Sequence, residues 1–532
     1  MFVGWKQVLF VFLALVLALC MLPKYADAHK RQSEKEIAPP HRVHTAEQRS
    51  VSGKADNGHD ENPGEWYKGE TPPNLQDDAP ILLFVPGLNN IAQIFWEDND
   101  MYQTAYEAGY QTAFIQLHDA GGESANMWDN GALLAEKIHD ISDYFAGKPI
   151  TIIAYSKGGV DAQTALAYYD AWEYVDRVIT LSSPHHGTEL ADLAYSWWAG
   201  WLADLLGARG DGTYVMQTGN MEEFRSLTDQ KAYAYYNDYY TLGGTGWASS
   251  SAATWFGGVY LSQYGTNDGV VTTKSSALPH SEESIIADWD HTSIRTGDAF
   301  SSFADYLTAE SSQKTSTADE YTETEGHIPN QWVYGNEIAG DEKNVVTIPV
   351  EEKVEAATIH LLTDKPVERV KLFAPSGEDA VSNARMNKHE EGYFPQAYSQ
   401  TITKTKPAAG KWELEVDAGE AEAYLLVVDY ETSPKIKLHT NASQNNGRQQ
   451  MFQLEAVDEK IAQSSLRTTY RIVEAQHPEN REIFSANNKA ALSQTIELEK
   501  EDTVYNITID VEGKTTDGEL FKRTIIESVY TN

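Results

Sequence analysis

Residues 150–160, Ile-Thr-Ile-Ile-Ala-Tyr-Ser-Lys-Gly-Gly-Val, constrain the chain more than any other stretch. The first half is apolar and β-branched, the pattern of a strand buried on both faces. The second half places Ala154 two residues before Ser156 and Gly158 two residues after it, and a helix-like stretch follows. Strand, sharp turn and helix lift a serine hydroxyl above a sheet, with the next backbone N–H aimed at the same space. That turn is crowded, so its flanking positions have to be small, and Gly is commoner where Ala154 stands. The five letters alone describe ordinary turns as well. The strand before and the helix after make Ser156 a candidate nucleophile.

The neighbouring segments keep the same rhythm. Residues 81–85 are a continuous apolar run that ends in Pro86-Gly87-Leu88-Asn89-Asn90, where Gly87 lets the backbone approach a ligand. Residues 112–117 predict a second strand. In 130–145 the residues Leu133, Leu134, Ile138, Ile141, Tyr144 and Phe145 recur at helical spacing. Residues 160–169 predict a helix, and 175–182 a strand running into Ser183-Pro184-His185-His186-Gly187. Strands alternating with helices predict a doubly wound α/β sheet. Residues 257–263 are expected to resume it, 283–288 to supply its last strand, and 298–309 to close it with a helix.

Between these lies a different texture. Leu190, Leu193, Ala194, Trp197, Trp198, Trp201, Leu202, Leu205 and Leu206 recur at three- and four-residue steps, which predicts one helix with a wide apolar face. Two readings fit: a core helix packed on the sheet, or a lid over an acyl pocket that opens on apolar substrate. The Tyr-, Trp- and Gly-rich residues 233–258 would line the same pocket.

The 532 residues are enough for several domains. Residues 1–28 read as a signal peptide, with Lys6, an apolar run over 8–22 and a small-x-small cut after Ala28. They contain the one cysteine, Cys20, so the exported chain would have no disulfide or thiolate ligand. Residues 29–78 are polar and read as a mobile leader or propeptide, 79–310 as the catalytic domain, and the Ser/Thr/Glu-rich residues 311–328 as a linker. Alternating β patterns then predict two all-β sandwich domains over 329–434 and 435–532. The expected product is secreted, extracellular or attached to the cell surface. A net charge of −38 argues against nucleic-acid binding, because phosphates would be repelled.

A serine hydroxyl needs a base, and the base needs a partner that fixes its tautomer. In a sheet of this kind the order along the chain is Ser, acid, His, each on a loop at the carboxyl end of a strand. His291 follows the expected last strand, whereas His280 precedes it in a Pro-flanked loop. Asp268 lies between Ser156 and His291, expected in a Gly-bounded loop after a strand, while Asp288 and Asp290 are too near His291 to fold back easily. An Asn-Asp-Gly turn explains Asp268 equally well at this point. The N–H groups of Lys157 and Leu88 are the candidate oxyanion donors, since Pro86 has none to give. His185 is expected to be structural. No cofactor or metal is assigned; the acidic surface leaves calcium possible without a spacing that places it.

At these residues the chain resembles the secreted bacterial lipase/esterase family of α/β-hydrolases, the Bacillus-type extracellular esterases and lipases in particular. The resemblance rests on Phe84-Val85-Pro86-Gly87-Leu88-Asn89, Ala154-Tyr155-Ser156-Lys157-Gly158-Gly159, Ser183-Pro184-His185-His186-Gly187-Thr188, Asn267-Asp268-Gly269-Val270-Val271 and Asp290-His291. It implies Ser156 as nucleophile, Asp268 as acid, His291 as base, and Leu88 and Lys157 as oxyanion donors. The chain departs from the family where Pro86-Gly87 replaces His-Gly and Tyr155 replaces His. Ser293 stands where related Pseudomonas-type lipases place a calcium-binding Asp, so calcium is not carried over. The C-terminal sandwiches resemble Ig-like accessory modules. The expectation is a serine hydrolase of apolar acyl esters, a lipase acting on acylglycerols or similar esters on this resemblance, with the β domains contacting a cell surface or polymer. A short-chain esterase, a polyester depolymerase and a surface-binding protein on an inactive scaffold are the rivals.

Overall fold

A computed structural model describes residues 37–43, 61–76, 78–121, 124–247, 251–308, 327–338, 344–382, 386–389, 392–417, 419–444 and 448–532. The expected signal peptide and most of the expected linker lie outside these residues. His41–Asn532 form one compact unit.

Its first half is built on a sheet of eight strands: β1 (His41–Arg42), β2 (Trp66–Lys68), β3 (Ile81–Val85), β4 (Thr112–Ile115), β5 (Ile150–Tyr155), β6 (Val175–Leu181), β7 (Asp238–Gly244) and β8 (Glu283–Ala287). They lie in the order β1-β2-β4-β3-β5-β6-β7-β8. From β4 to β8 every pairing is parallel, whereas β1 and β2 run antiparallel at one edge. The helices are α1 (Met101–Glu107), α2 (Met127–Tyr144), α3 (Lys157–Tyr168), α4 (Glu189–Tyr195), α5 (Gly200–Leu205), α6 (Asp211–Val215), α7 (Thr218–Thr228) and α8 (Ala252–Leu261), followed by shorter turns. Both β3 and β5 are wholly buried, as their unbroken apolar runs require.

Four expectations are corrected. Residues 61–76 are not a mobile leader: β2 pairs with β4, and Trp66 is buried against the rings of Tyr144 and Phe145. Glu61, polar in the sequence, is buried with Gln116 Nε2 donating to it at 3.0 Å. Residues 257–263 do not resume the sheet, which continues through β7; most of them lie in α8. The start of α8 is set by a capping box in which Ser251 accepts the Thr254 N–H. Gly257 and Gly258 pack closely in this helix: a Cβ on them would collide with the Gly269 carbonyl and the Trp247 ring.

The predicted helix from Leu190 to Leu206 is two helices. Ser196 between them is extended, its hydroxyl donating to the Leu193 carbonyl at 2.7 Å and accepting the Ala199 N–H at 3.3 Å. A serine that bonds its own backbone competes with helix continuation. The closing helix expected over 298–309 is likewise a short helix, Gly297–Phe300, and a 3-10 turn, Ala304–Thr308.

The second half is antiparallel. A five-stranded sheet containing Gln331–Glu337, Ala356–Thr363 and Ala423–Glu431 shares a core with a four-stranded sheet containing Asn344–Val350 and Gly410–Asp417. A three-stranded sheet containing Gln449–Ala456 and a four-stranded sheet containing Arg467–Glu474, Thr503–Lys514 and Leu520–Thr531 enclose another. A further apolar core joins the two halves. In it Leu190, Leu193 and Leu202 pack with Val160 on one side and with Val333, Leu425, Val427 and Ile526 on the other. The Trp-rich face is thus a docking face for the C-terminal strands. Trp198 lies 4.8 Å from the Tyr334 ring and donates its indole N–H to Asp510 Oδ2 at 3.2 Å. The guanidinium of Arg471 covers Trp198, and that of Arg481 covers Trp197 and Trp201.

Candidate active site

Strand β5 runs straight into α3 through Ser156, whose φ is 53° and ψ −132°. A non-glycine residue holds such angles only where its surroundings impose them. Here the two sides of the turn are pinned. A Cβ on Gly158 would stand 2.9 Å from the Val85 carbonyl oxygen, and one on Gly87 would stand 2.7 Å from Ser156 Cβ. The loop after β3 and the turn after β5 therefore press on one another, and the close approach depends on these two glycines.

Residues far apart in the chain meet at this point. Ser156 Oγ lies 3.1 Å from His291 Nε2, and His291 Nδ1 lies 2.6 Å from Asp268 Oδ2. His291 follows β8 by four residues, as its position in the sequence suggested. Asp268 does not follow a strand directly; it comes after α8, and the carboxyl end of β7 abuts it, a Cβ on Gly244 falling 2.8 Å from Asp268 Cβ. The Asp268 carboxylate is fully buried and accepts four donors in all. Val270 and Val271 N–H reach Oδ1 at 2.9 and 2.7 Å, and the Ser182 hydroxyl reaches Oδ2 at 2.5 Å beside the imidazole. Hydrogen bonds of this kind fix the direction of a buried carboxylate.

Leu88 and Asn89 line the cavity that holds Ser156 and His291. Lys157 is the first residue of α3. His185 is buried away from the hydroxyl, its Nε2 3.3 Å from Thr180 Oγ1, and burial holds its pKa well below the usual imidazole value. His280 is buried against Tyr235 and Tyr239, and burial lowers it to about 3. Both remain neutral at ordinary pH. Among the described residues, no group of three or more His, Cys, Asp or Glu side chains is placed to hold a metal ion.

Three features had no sequence signal. Ser182 supports Asp268. Tyr155 lies 5.0 Å from the His291 ring and accepts a hydrogen bond from Arg295 Nη1 at 3.1 Å. Gly392, Tyr393 and Pro395, from the C-terminal half, line the same cavity. Tyr393 and Phe394 are buried, with Phe394 edge-on to Phe256 of α8 at 5.9 Å. Only their aromatic, Gly- and Pro-flanked character marked them, and nothing local tied them to a serine more than 200 residues away.

A parallel sheet with a strained serine between strand and helix defines an α/β-hydrolase. No family model and no curated protein matches the chain. Solved structures do. The Bacillus licheniformis lipase BlEst2 in propeptide form is 33% identical, with a TM-score of 0.76, over 89% of this chain and 98% of that one. The mature form of that lipase is 44% identical over 47% of this chain and 100% of that one, with a TM-score of 0.44. Lipase B of Aspergillus fumigatus is 21% identical over 34% of this chain and 40% of that one, with a TM-score of 0.27. The chain belongs to the Bacillus-type lipase/esterase family of α/β-hydrolases, and it is a carboxylic ester hydrolase.

Proposed function

We propose that the protein is an exported lipase that cleaves apolar acyl esters, acylglycerols among them, with Ser156 as nucleophile, His291 as base and Asp268 as its partner. The observation that carries this is the hydrogen-bonded line from Ser156 Oγ through His291 to Asp268 Oδ2. His291 Nε2 takes the hydroxyl proton as Oγ attacks the ester carbonyl. The tetrahedral oxyanion is held by the N–H groups of Leu88 and Lys157. The imidazolium, stabilised by Asp268, then protonates the departing alcohol, and water releases the acid with His291 again as base. No metal or cofactor is required by this chemistry. Lys6, the apolar run after it and Ala26-Asp27-Ala28 support export.

The same proposal assigns the C-terminal half to a precursor. Tyr393 and Pro395 line the cavity, and the apolar face of Leu190, Leu193 and Leu202 is covered by C-terminal strands. The solved relative that spans both halves is described as a propeptide form. The remaining opening favours small esters in the intact chain, and removal of the β domains frees the long-chain site.

The test is hydrolysis of p-nitrophenyl esters from acetyl to palmitoyl, with emulsified triglyceride, before and after limited proteolysis. The expected result is short-chain activity first, long-chain activity after cleavage, and neither in Ser156→Ala. A Ser156→Ala chain that keeps wild-type rates would overturn the site. Equal long-chain rates before and after cleavage would overturn the precursor reading.

A further inference from the structure

The residue after the nucleophile is a lysine, and its side chain does not reach solvent. Lys157 Nζ lies 3.0 Å from both Asp161 oxygens and 3.5 Å from Asp119 Oδ2. Asn130 Nδ2 bridges the two acids, donating to Asp119 Oδ2 at 2.6 Å and to Asp161 Oδ2 at 3.0 Å. All four side chains are buried, at 2% exposure or less. Burial works against the lysine's charge, but Asp119 and Asp161 more than restore it and hold its pKa raised. Two acids and one ammonium buried together are expensive to maintain, and hydrophobic residues of similar volume would often be at least as stable. The cluster therefore calls for an explanation other than stability.

Its remaining contact supplies one. Asp119 Oδ1, turned away from the lysine, accepts the backbone N–H of Asn89 at 3.0 Å. Asn89 is a left-handed residue, φ 55°, in a turn closed by the Asn90 N–H on the Gly87 carbonyl at 3.2 Å. That is the third position of a turn which needs φ above zero, and Asn tolerates it. Fixing the Asn89 N–H fixes the peptide between Leu88 and Asn89, and with it the direction of the adjoining Leu88 amide. One carboxylate thus holds the loop that carries one oxyanion donor and reaches the side chain of the residue that carries the other.

We propose that Asp119 is a positioning residue for the oxyanion hole: through Asn89 on one side and Lys157 on the other, it holds the Leu88 and Lys157 amides at one fixed separation. Asp161 and Asn130 complete the clamp. The inference rests on the reading of Leu88 and Lys157 as oxyanion donors. It adds no group to the reacting atoms; Asp119 acts only through the backbone.

The test compares wild type, Asp119→Asn, Asp119→Ala and Ser156→Ala as intact chains. Hydrolysis of p-nitrophenyl acetate is measured together with inhibition by phenylboronic acid, which forms a tetrahedral adduct on a serine. The expected loss for Asp119→Ala is about 10²-fold in kcat, the scale of one misdirected oxyanion donor, with KM held within about twofold. Boronate affinity should fall in parallel. Asp119→Asn keeps an oxygen for the Asn89 N–H but turns an amide NH2 toward Asn130 and Lys157, so it should recover only the part of the loss that runs through Asn89. A merely structural Asp119 would instead lower the melting temperature while leaving kcat per titrated active site and boronate affinity at wild-type levels, and that result would overturn the inference. Wild-type rates in Ser156→Ala would be a different failure, of the nucleophile assignment itself.

Discussion

At the scale of single residues, Asp268 shows how a short loop can orient a carboxylate. Its Oδ1 takes two backbone amides, so Oδ2 is committed to Ser182 and to His291 Nδ1. In Asp268→Asn the two amides keep the oxygen and turn Nδ2 toward the imidazole. His291 must then accept rather than donate at Nδ1, leaving its proton on Nε2, where it cannot take one from Ser156. The expected cost is about 10⁴-fold in kcat with the fold retained, as read by ester hydrolysis beside circular dichroism. A loss under tenfold would make Asp268 a turn residue. Ser156 and His291 were legible in the sequence because each follows a strand in the right order. Asp268 was legible only as one of two readings, since a buried acid and an exposed Asn-Asp-Gly turn are spelled alike. Ser182 and the Tyr155–Arg295 pair were not legible, because their meaning lies in what they touch across the fold.

At the scale of elements, periodicity found the central strands and the large helices and failed where burial is uniform. Helix α8 is apolar on nearly every side, so its period was hidden. The Trp-rich segment had the right period but was broken by a serine whose hydroxyl bonds backbone. Strand β2 was lost in polar surroundings because it is three residues long and only Trp66 and Tyr67 carry its burial. The loop that brings Tyr393 to the cavity offers the clearest test at this scale. Replacing both Tyr393 and Phe394 by Ala removes two buried rings, one lining the cavity with Thr254 and the other packed on Phe256. Truncating a buried Phe typically costs about 3–5 kcal/mol, here drawn from the closed arrangement. The uncleaved double variant should therefore hydrolyse p-nitrophenyl palmitate several times faster than the uncleaved parent. An unchanged rate would place the barrier to long chains elsewhere.

At the scale of the whole molecule, the join between the halves is held by apolar contacts but contains several acids. Glu527 of the strand Leu520–Thr531 is buried, and burial, then the neighbouring Glu189 and Glu222, push its pKa to about 7. Burial raises Glu189 to about 7 as well, with Lys274 opposing, and raises Asp192 well above the carboxylate range, with Thr218 opposing and Glu189 and Glu527 reinforcing. A carboxyl whose pKa is higher folded than unfolded costs nothing below about 4.5, where both states hold the proton. The cost grows as pH rises to about 7, where the folded state must give its proton up, and is constant beyond. Glu527→Gln, which carries no proton to lose, should melt at nearly the wild-type temperature at pH 4.5 and several degrees higher at pH 8. A difference independent of pH would show that Glu527 does not titrate at the join. The buried histidines His360 and His389, both lowered to about 4 by burial, act in the opposite sense below pH 6.5, which is why the comparison is made between variants. The same join has an optical consequence. Trp197 and Trp198 sit beneath Arg471 and Arg481, with the indole of Trp198 on Asp510, so parting of the halves exposes these half-buried rings further to water. The emission colour of the protein therefore reports what fraction of a sample is closed, without a label and without a substrate.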